Sequence, residues 1–462
     1  MKTTNAWERD EGMRVWYLLV FALLQFPLRF SGSTFVTYIF IYLLPGLYLL
    51  YHYKWCIDFL FRVVAKKGWP RIAVIVLCVI FIESCIWPIV HQTFDFSFLT
   101  DWWFKLVLLI VKNLFLVALY ENHVAKSKLD ICEYMYYFLY AVVLYVMLSL
   151  VLIMIPPLRE FCITHLYMIP KELVDIRIPS YFTRLGWSGW AGYDVSMQCS
   201  VAVMFACILI VVQKGNIQKQ MITLGLSVVA LLGNMFYART GMIVSLVLLF
   251  VTAVYSLIRK DYIFVKWIAI IGGAGVVAVM IAAAFVPALN DWTNWAFSIF
   301  VNFFTQGKLN DNIGSTGHLI NDMYWIPQLK TILVGDGWFT QDGSYYMYTD
   351  SGIMRLTLYY GAINFFAGAA AGFVLIQRIA KRVYDQGLID GKDKVFITVL
   401  ILILMILFEA KGEAYYKIMC IVFPIAFIGL KAEAPQFLNK LSWKSGKFLS
   451  RIKLRARKGD GI

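Results

Sequence analysis

Charge is scarce in this sequence. Of 462 residues, 15% are Asp, Glu, Lys or Arg and 61% are apolar. Soluble domains carry about a quarter charged residues, so a water-soluble globular class is excluded. Acidic residues are the rarer sign, 28 against 42 basic ones, for a net charge of +14. The 8 cysteines include no CxxC and no Cys/His metal spacing. Most lie in apolar runs, where a thiol acts as a small packing group. Cys162 and Cys199 are the two that would face an oxidising space, and a bridge between them is left open. Internal repeats, heptad runs and low-complexity linkers are absent, which leaves one continuous domain. No small-residue cleavage site follows the first apolar run, so that run is expected to stay as an anchor.

What fills the sequence instead is about a dozen long apolar runs. A helix needs roughly 20 such residues to cross a bilayer core of about 30 Å. Backbone groups cannot stay unpaired in lipid, so the runs should be helices. The fold class is therefore an all-α polytopic membrane protein with about twelve transmembrane helices. The expected spans are Arg14–Phe30, Phe35–Tyr53, Ile72–Val90, Trp103–Tyr120, Tyr134–Pro157, Val195–Val212, Met221–Tyr237, Met242–Ile258, Phe264–Val286, Gly352–Ile376, Val395–Ala410 and Ala414–Leu430. The membrane domain would cover 1–430, with a basic tail at 431–462. About two thirds of the 42 basic residues fall in the two termini and in loops 54–71, 121–133, 213–220, 259–266 and 377–394. Positive loops stay in the cytoplasm, so both termini are expected there. Tail residues Lys440–Lys458 alternate basic and apolar side chains and suit a helix on an anionic inner leaflet. Nothing else in the sequence supports nucleic-acid binding.

Two long loops, about 158–194 and 287–350, then lie outside. Both are rich in aromatic residues, and long loops in compact proteins are usually functional or disordered. The first ends in Ser180–Asp194, with Arg184-Leu-Gly186, Trp187 and Trp190. Glycines there let backbone approach a ligand closely. In the second, Ser315 or Thr316 could cap a short helix that sets His318, Asp322 and Trp325 on one face. Gly335-Asp-Gly337-Trp338 reads as a turn, and Thr349-Asp350-Ser351-Gly352 leads into a span carrying Arg355.

Arg184, Arg239 and Arg355 should all lie near the outer water interface. Guanidinium stays charged and forks onto phosphate oxygens, so three at one level suit a lipid-linked diphosphate. Interfacial snorkelling is the competing use, above all for Arg355. His318, Asp350 and Asp322 are the candidate bases for a sugar hydroxyl. Trp187, Trp190, Trp325 and Trp338 could stack on sugar faces, whereas Trp292 and Trp295 suit the interfacial belt. Glu83 and Lys112 sit at similar depth in neighbouring spans and are expected to pair. Glu413 and Lys417 are expected to form an i, i+4 pair, bracing the last outer turn with Glu409 and Lys411.

Three local patterns, in order, resemble the O-antigen polymerase/ligase superfamily of bacterial inner-membrane proteins. They are Arg184-Leu-Gly186 before a span, Ala238-Arg239-Thr240-Gly241 in an outer turn, and Gly335-Asp-Gly337 followed by Asp350-Ser-Gly352 and Tyr360-Gly361-Ala-Ile363. The resemblance spans roughly Tyr181–Ile376. It implies a GT-C-like fold with two large periplasmic loops, and an inverting, metal-independent glycosyltransferase that needs no cofactor. Its substrate would be an undecaprenyl-pyrophosphate-linked oligosaccharide, and a chain-length regulator and a flippase are the implied partners. Arg184 and Arg239 would hold the diphosphate, with Arg355 in support, and His318 or Asp350 would serve the acceptor. Ligases tend to carry His-Asn where this chain has Asp350-Ser351, which favours a polymerase. An O-antigen ligase and a flippase for lipid-linked sugar are the alternatives. The charges here gather at the outer end and no halves match, unlike a transport path.

Overall fold

A computed structural model describes residues 4–29, 34–64, 68–125, 129–166, 184–285 and 322–430. The chain is almost entirely helical within them. The N-terminal part contributes α1 (Thr4–Gln25), α2 (Thr34–Tyr38), α3 (Leu44–Tyr51), α4 (Tyr53–Val64), α5 (Trp69–Val90) and α6 (Lys105–Leu119). The middle contributes α7 (Ile131–Met154), α8 (Pro156–Phe161), α9 (Tyr193–Val212), α10 (Ile217–Tyr237), α11 (Arg239–Ile258) and α12 (Tyr262–Phe285). The short α13 (Leu329–Val334) precedes α14 (Gly352–Ile376), α15 (Arg378–Asp385), α16 (Gly391–Lys411) and α17 (Tyr415–Val422). Two two-residue hairpins complete the fold, β1–β2 (Leu185–Gly186, Gly189–Trp190) and β3–β4 (Thr340–Gln341, Ser344–Tyr345).

Among the described residues, seven helices are long and apolar enough to cross a membrane, and eight if a pair bent by 90° at Tyr51–Tyr53 counts as one span. The bend turns α4 across the axis of α3. Helix starts follow local chemistry. Asp130 caps α7 through Cys132 N at 2.9 Å, Asn216 caps α10 through Lys219 N at 3.1 Å, and Asp390 with Asp393 forms a capping box on α16. The core sits around α9, whose apolar window is 89% buried and which packs on α7, α10 and α11. A helix buried nearly all round must be apolar or have its polar groups paired, and α9 is apolar apart from its first two turns, where Ser196 and Ser200 are hydrogen-bonded.

Side-chain contacts sort the loops onto two ends. At one end meet Asp194, Ala238, Asp350, Lys411, Glu413 and the turn after α5. At the other meet Arg62 with Glu121, Arg259 with Asp390, and Glu121 with Gly429 N. The basic loops are at this second end, as the alternation of the sequence requires.

The expected helix face of Asp322 and Trp325 does not form. Asp322 lies in a turn and Trp325 outside any helix, and Ser315, Thr316 and His318 lie outside the described residues. Pro327 disfavours the helical region at Ile326, directly before it, so a helix could not run on through this stretch into α13. Helix α14 also departs from a plain span. Gly361 adopts φ +86° and breaks it into two segments.

Candidate outer-end site

Arg184 is the half-buried residue that opens the β1–β2 hairpin, where its carbonyl accepts from Ala191 N at 2.8 Å. The hairpin pairs Leu185 with Trp190 and Gly186 with Gly189. A Cβ on Gly186 would stand 2.0 Å from the Tyr145 hydroxyl oxygen, so only glycine fits against α7. Tyr145 shares a 2.7 Å hydrogen bond with Ser188. Its ring lies 5.0 Å from that of Trp187 and 5.8 Å from that of Tyr237. Tyr237 precedes the turn that carries Arg239. One buried tyrosine thus ties the Arg184 hairpin to the Arg239 turn.

That turn is held by a buried polar network. Asn234 donates to Ser200 at 3.0 Å and to Ser245 at 2.7 Å, and accepts from Ser196 at 2.7 Å. Ser196 also donates to Ala238 O at 3.3 Å, and Ser200 to Gly241 O at 3.1 Å. A Cβ on Gly241 would meet Ser196 Oγ at 1.9 Å. Arg239, half-buried, starts α11 directly above this network. A fully satisfied buried network specifies a single geometry, so the backbone under Arg239 is fixed.

Arg355 is 7% exposed and engaged. Its Nη1 sits 3.0 Å from Glu413 Oε1, and its guanidinium carbon lies 4.2 Å from the Phe339 ring centre and 3.5 Å from that of Tyr345. This is a brace between α14, the β3–β4 loop and the α16–α17 turn, rather than a group open to a diphosphate. Burial raises the Glu413 carboxyl above its ordinary range, against the opposing field of Arg355. The expected Glu413–Lys417 pair is replaced, since Lys417 Nζ bonds Asp194 at 2.6 Å. Glu409, 4% exposed, accepts from Ala414 N and Tyr415 N at 2.8 Å each, and so caps α17.

The chain from 322 to 351 is docked rather than loose. Asp336 N and Gly337 N donate to Leu358 O and Tyr359 O at 2.6 and 3.1 Å, the carbonyls freed by the break at Gly361. Built Cβ atoms on Gly335 and Gly361 would each meet backbone at 2.4 Å, so both glycines serve close approach as well as positive φ. Asp95 accepts from Phe339 N at 2.7 Å, Thr340 N at 2.8 Å and Ser97 N at 3.0 Å. Burial pushes its carboxyl up, but the bonds from Ser97, Thr340 and Phe339 together outweigh it and hold it below the usual range. Asp350 is 3.9 Å from Lys411 and exposed. Trp338 lies parallel to Tyr346 at 6.4 Å, and Trp325 is half-buried.

Other sequence expectations fare differently. Trp187 is buried at 9%, with its Nε1 donating to Phe26 O at 2.6 Å, so its ring is core and offers no face to a sugar. No ion pair joins Glu83 to Lys112, because α5 packs on α14 while α6 packs on α3 and α17. Cys162 and Cys199 are unbridged. His318, Trp292, Trp295, the side chain of Trp190 and the basic tail lie outside the described residues. Tyr145 and Asp95 went unrecognised in the sequence. A tyrosine inside an apolar run, and an aspartate a few residues past a span, look ordinary until the long-range partner is known. Among the described residues, no group of three or more His, Cys, Asp or Glu side chains is placed to hold a metal ion. The sequence matches no protein-family model and shows no significant similarity to a curated protein.

Proposed function

We propose that the protein is a polysaccharide polymerase of a bacterial inner membrane, with twelve spans in a GT-C-like arrangement and both termini cytoplasmic. It elongates O-antigen, capsule or a related glycan by passing the growing chain from undecaprenyl pyrophosphate to a lipid-linked repeat unit at the periplasmic face. The reaction is an inverting glycosyl transfer without a metal. The observation that carries this reading is the tie through Tyr145, which joins the Arg184 hairpin to the Arg239 turn at the end opposite the basic loops. Arg184 and Arg239 neutralise the leaving diphosphate, where developing negative charge is stabilised by fixed cations. A carboxylate or His318 takes the acceptor proton.

Purified protein supplied with defined undecaprenyl-diphosphate-linked repeats should lengthen them. Arg184→Ala and Arg239→Ala should each cut elongation by about a hundredfold or more, the usual loss when one charge-stabilising donor is removed, while still inserting normally. Full elongation by both variants would show the site assignment to be wrong. Cells lacking a polymerase retain single repeats on the final carrier, whereas cells lacking a ligase strand long chains on undecaprenyl. Translocation without elongation in proteoliposomes would point to a flippase.

A further inference from the structure

Helix α4 occupies most of what the sequence presents as a basic connecting loop, 54–71. It leaves α3 at a bend of 90°, and α5 begins soon after it, at Trp69. The end of α3 lies at the basic end of the fold, where Tyr48 hydrogen-bonds His123 at 3.1 Å beside the Glu121 turn. Helix α5 runs from Trp69 to the Asp95 turn at the outer end, so Trp69 also lies at the basic end. A helix of 12 residues, about 18 Å long, that joins two such ends at a right angle to α3 runs along the membrane surface and not through it.

At about 100° per residue, the side chains of α4 sort onto three faces. The first is fixed to the protein. Phe59 and Val63 are buried, with the Phe59 ring 6.4 and 5.9 Å from those of Phe423 and Phe427. Beside them Arg62 pairs with Glu121 at 2.7 Å, both side chains under 10% exposed, and Trp55 Nε1 donates to the same carboxylate at 2.8 Å. A buried ion pair of this kind sets how the helix is rolled about its axis. The second face is apolar and open. Tyr53, Ile57 and Leu60 are 55, 42 and 57% exposed, and half-buried Val64 continues their line. The third face carries exposed Lys54 and Asp58, and Asp58 is bound to Arg62 at 2.7 Å. The open face therefore lies between a protein side and a charged, watery side, as in a helix seated at a lipid–water boundary. Its surroundings say what covers it. Exposed Leu47, Leu50 and Tyr51 bring the apolar surface of α3 up to the bend, next to Tyr53. At the other end Trp69 is 71% exposed on the first turn of α5, with exposed Arg71 two residues on. Trp anchors at headgroup level, and exposed Lys54 and Arg71 complement anionic lipid.

We infer that α4 is an interfacial helix that sinks Tyr53, Ile57 and Leu60 about 5–10 Å into the leaflet at the basic end and meets anionic headgroups with Lys54 and Arg71. Its partner is bilayer lipid. The inference is independent of the chemistry at the outer end and holds equally for a polymerase, a ligase or a flippase.

The test places the photoreactive residue benzoylphenylalanine singly at Leu47, Ile57, Phe59 or Leu60 of the full-length protein in the cell membrane. After irradiation, intact-protein mass spectrometry reads phospholipid adducts, and gels read adducts to protein. Leu47, exposed on α3, fixes the yield at a lipid-facing position, and buried Phe59 fixes the background. Ile57 and Leu60 should give phospholipid adducts at the Leu47 level. Adducts at background level overturn the inference. So does a band of twice the size of the chain, which assigns the face to a second copy, or an adduct to another protein. A second measurement addresses the headgroups. In nanodiscs rich in phosphatidylglycerol, amide exchange over 53–64 should be about fivefold slower than in phosphatidylcholine alone, the effect of one basic side chain at an anionic surface. Lys54→Gln/Arg71→Gln should remove that difference, and both positions are exposed, so the fold is kept. Equal exchange in the two lipids, or a difference that survives the double variant, overturns the headgroup contact.

Discussion

At Gly241 a single missing Cβ decides the geometry under Arg239. The Ser196 oxygen sits where a methyl group would go, 1.9 Å from the built position. Gly241→Ala should therefore destabilise the protein by about 1–3 kcal/mol, the usual cost of overpacking, read as a lower melting temperature in detergent. Arg355 offers a contrast in charge. Arg355→Gln strands the Glu413 carboxylate in a buried site, and loss of one partner from such a pair costs about 3–5 kcal/mol. The Arg355→Gln/Glu413→Gln double variant should recover much of that loss. A thermal-unfolding cycle of the four proteins checks this, and additive losses would remove the pair from the account. Both residues were visible in the sequence as charges near an outer interface. Their partnership was not, because the separation from 355 to 413 carries no local signal.

At the level of elements, the 322–351 segment depends on the Asp95 latch and on the break in α14. Asp95 is held ionised by amide donors from Ser97, Phe339 and Thr340. Its carboxyl lies below the ordinary value in the folded protein, so the latch contributes fully above about pH 4 and is lost as pH falls through that lowered value. Hydrogen exchange in 336–345 should quicken in acid before exchange in α9 does. Asp95→Asn should give the same acceleration at neutral pH, since bonds to a charged acceptor are worth about 1.5–3 kcal/mol and the amide accepts them less well. Unchanged exchange in that variant would rule out the latch. The helices themselves were legible from apolar runs, although α7, α10 and α16 start three or four residues before the expected Tyr134, Met221 and Val395. Legibility failed at Asp322–Trp325, which lie outside any helix although their spacing fits one face, and at Gly361, whose break is stabilised by backbone donors some 20 residues upstream.

For the whole molecule, the contacts divide the loops between two ends, and sidedness can be measured. Single cysteines at Lys214 and Lys392 should be labelled by an impermeant thiol reagent only from the cytoplasmic side, and one at Ser344 only from the opposite side. Labelling of all three from one side would break the arrangement that sets Arg184 and Arg239 at the end opposite the basic loops. The contacts also reduce the set of three cations that position along the chain suggests to Arg184 and Arg239, tied through Tyr145. Arg355 leaves the set because Phe339, Tyr345 and Glu413 enclose it.

Composition and the spacing of apolar runs by themselves read this chain into a membrane as helices, since unpaired backbone in lipid leaves only helices and closed barrels, and runs of about 20 apolar residues fit the helix. The distribution of Lys and Arg likewise set which loops share an end. Only tertiary structure decided which charges are spent on one another and which remain for a ligand. Pairing depends on which helices become neighbours, and that follows from side-chain packing between segments far apart in sequence. Lys112 shows the difference: depth alone assigns it to Glu83, whereas packing carries α5 toward α14 and α6 toward α3 and α17, so the two do not pair.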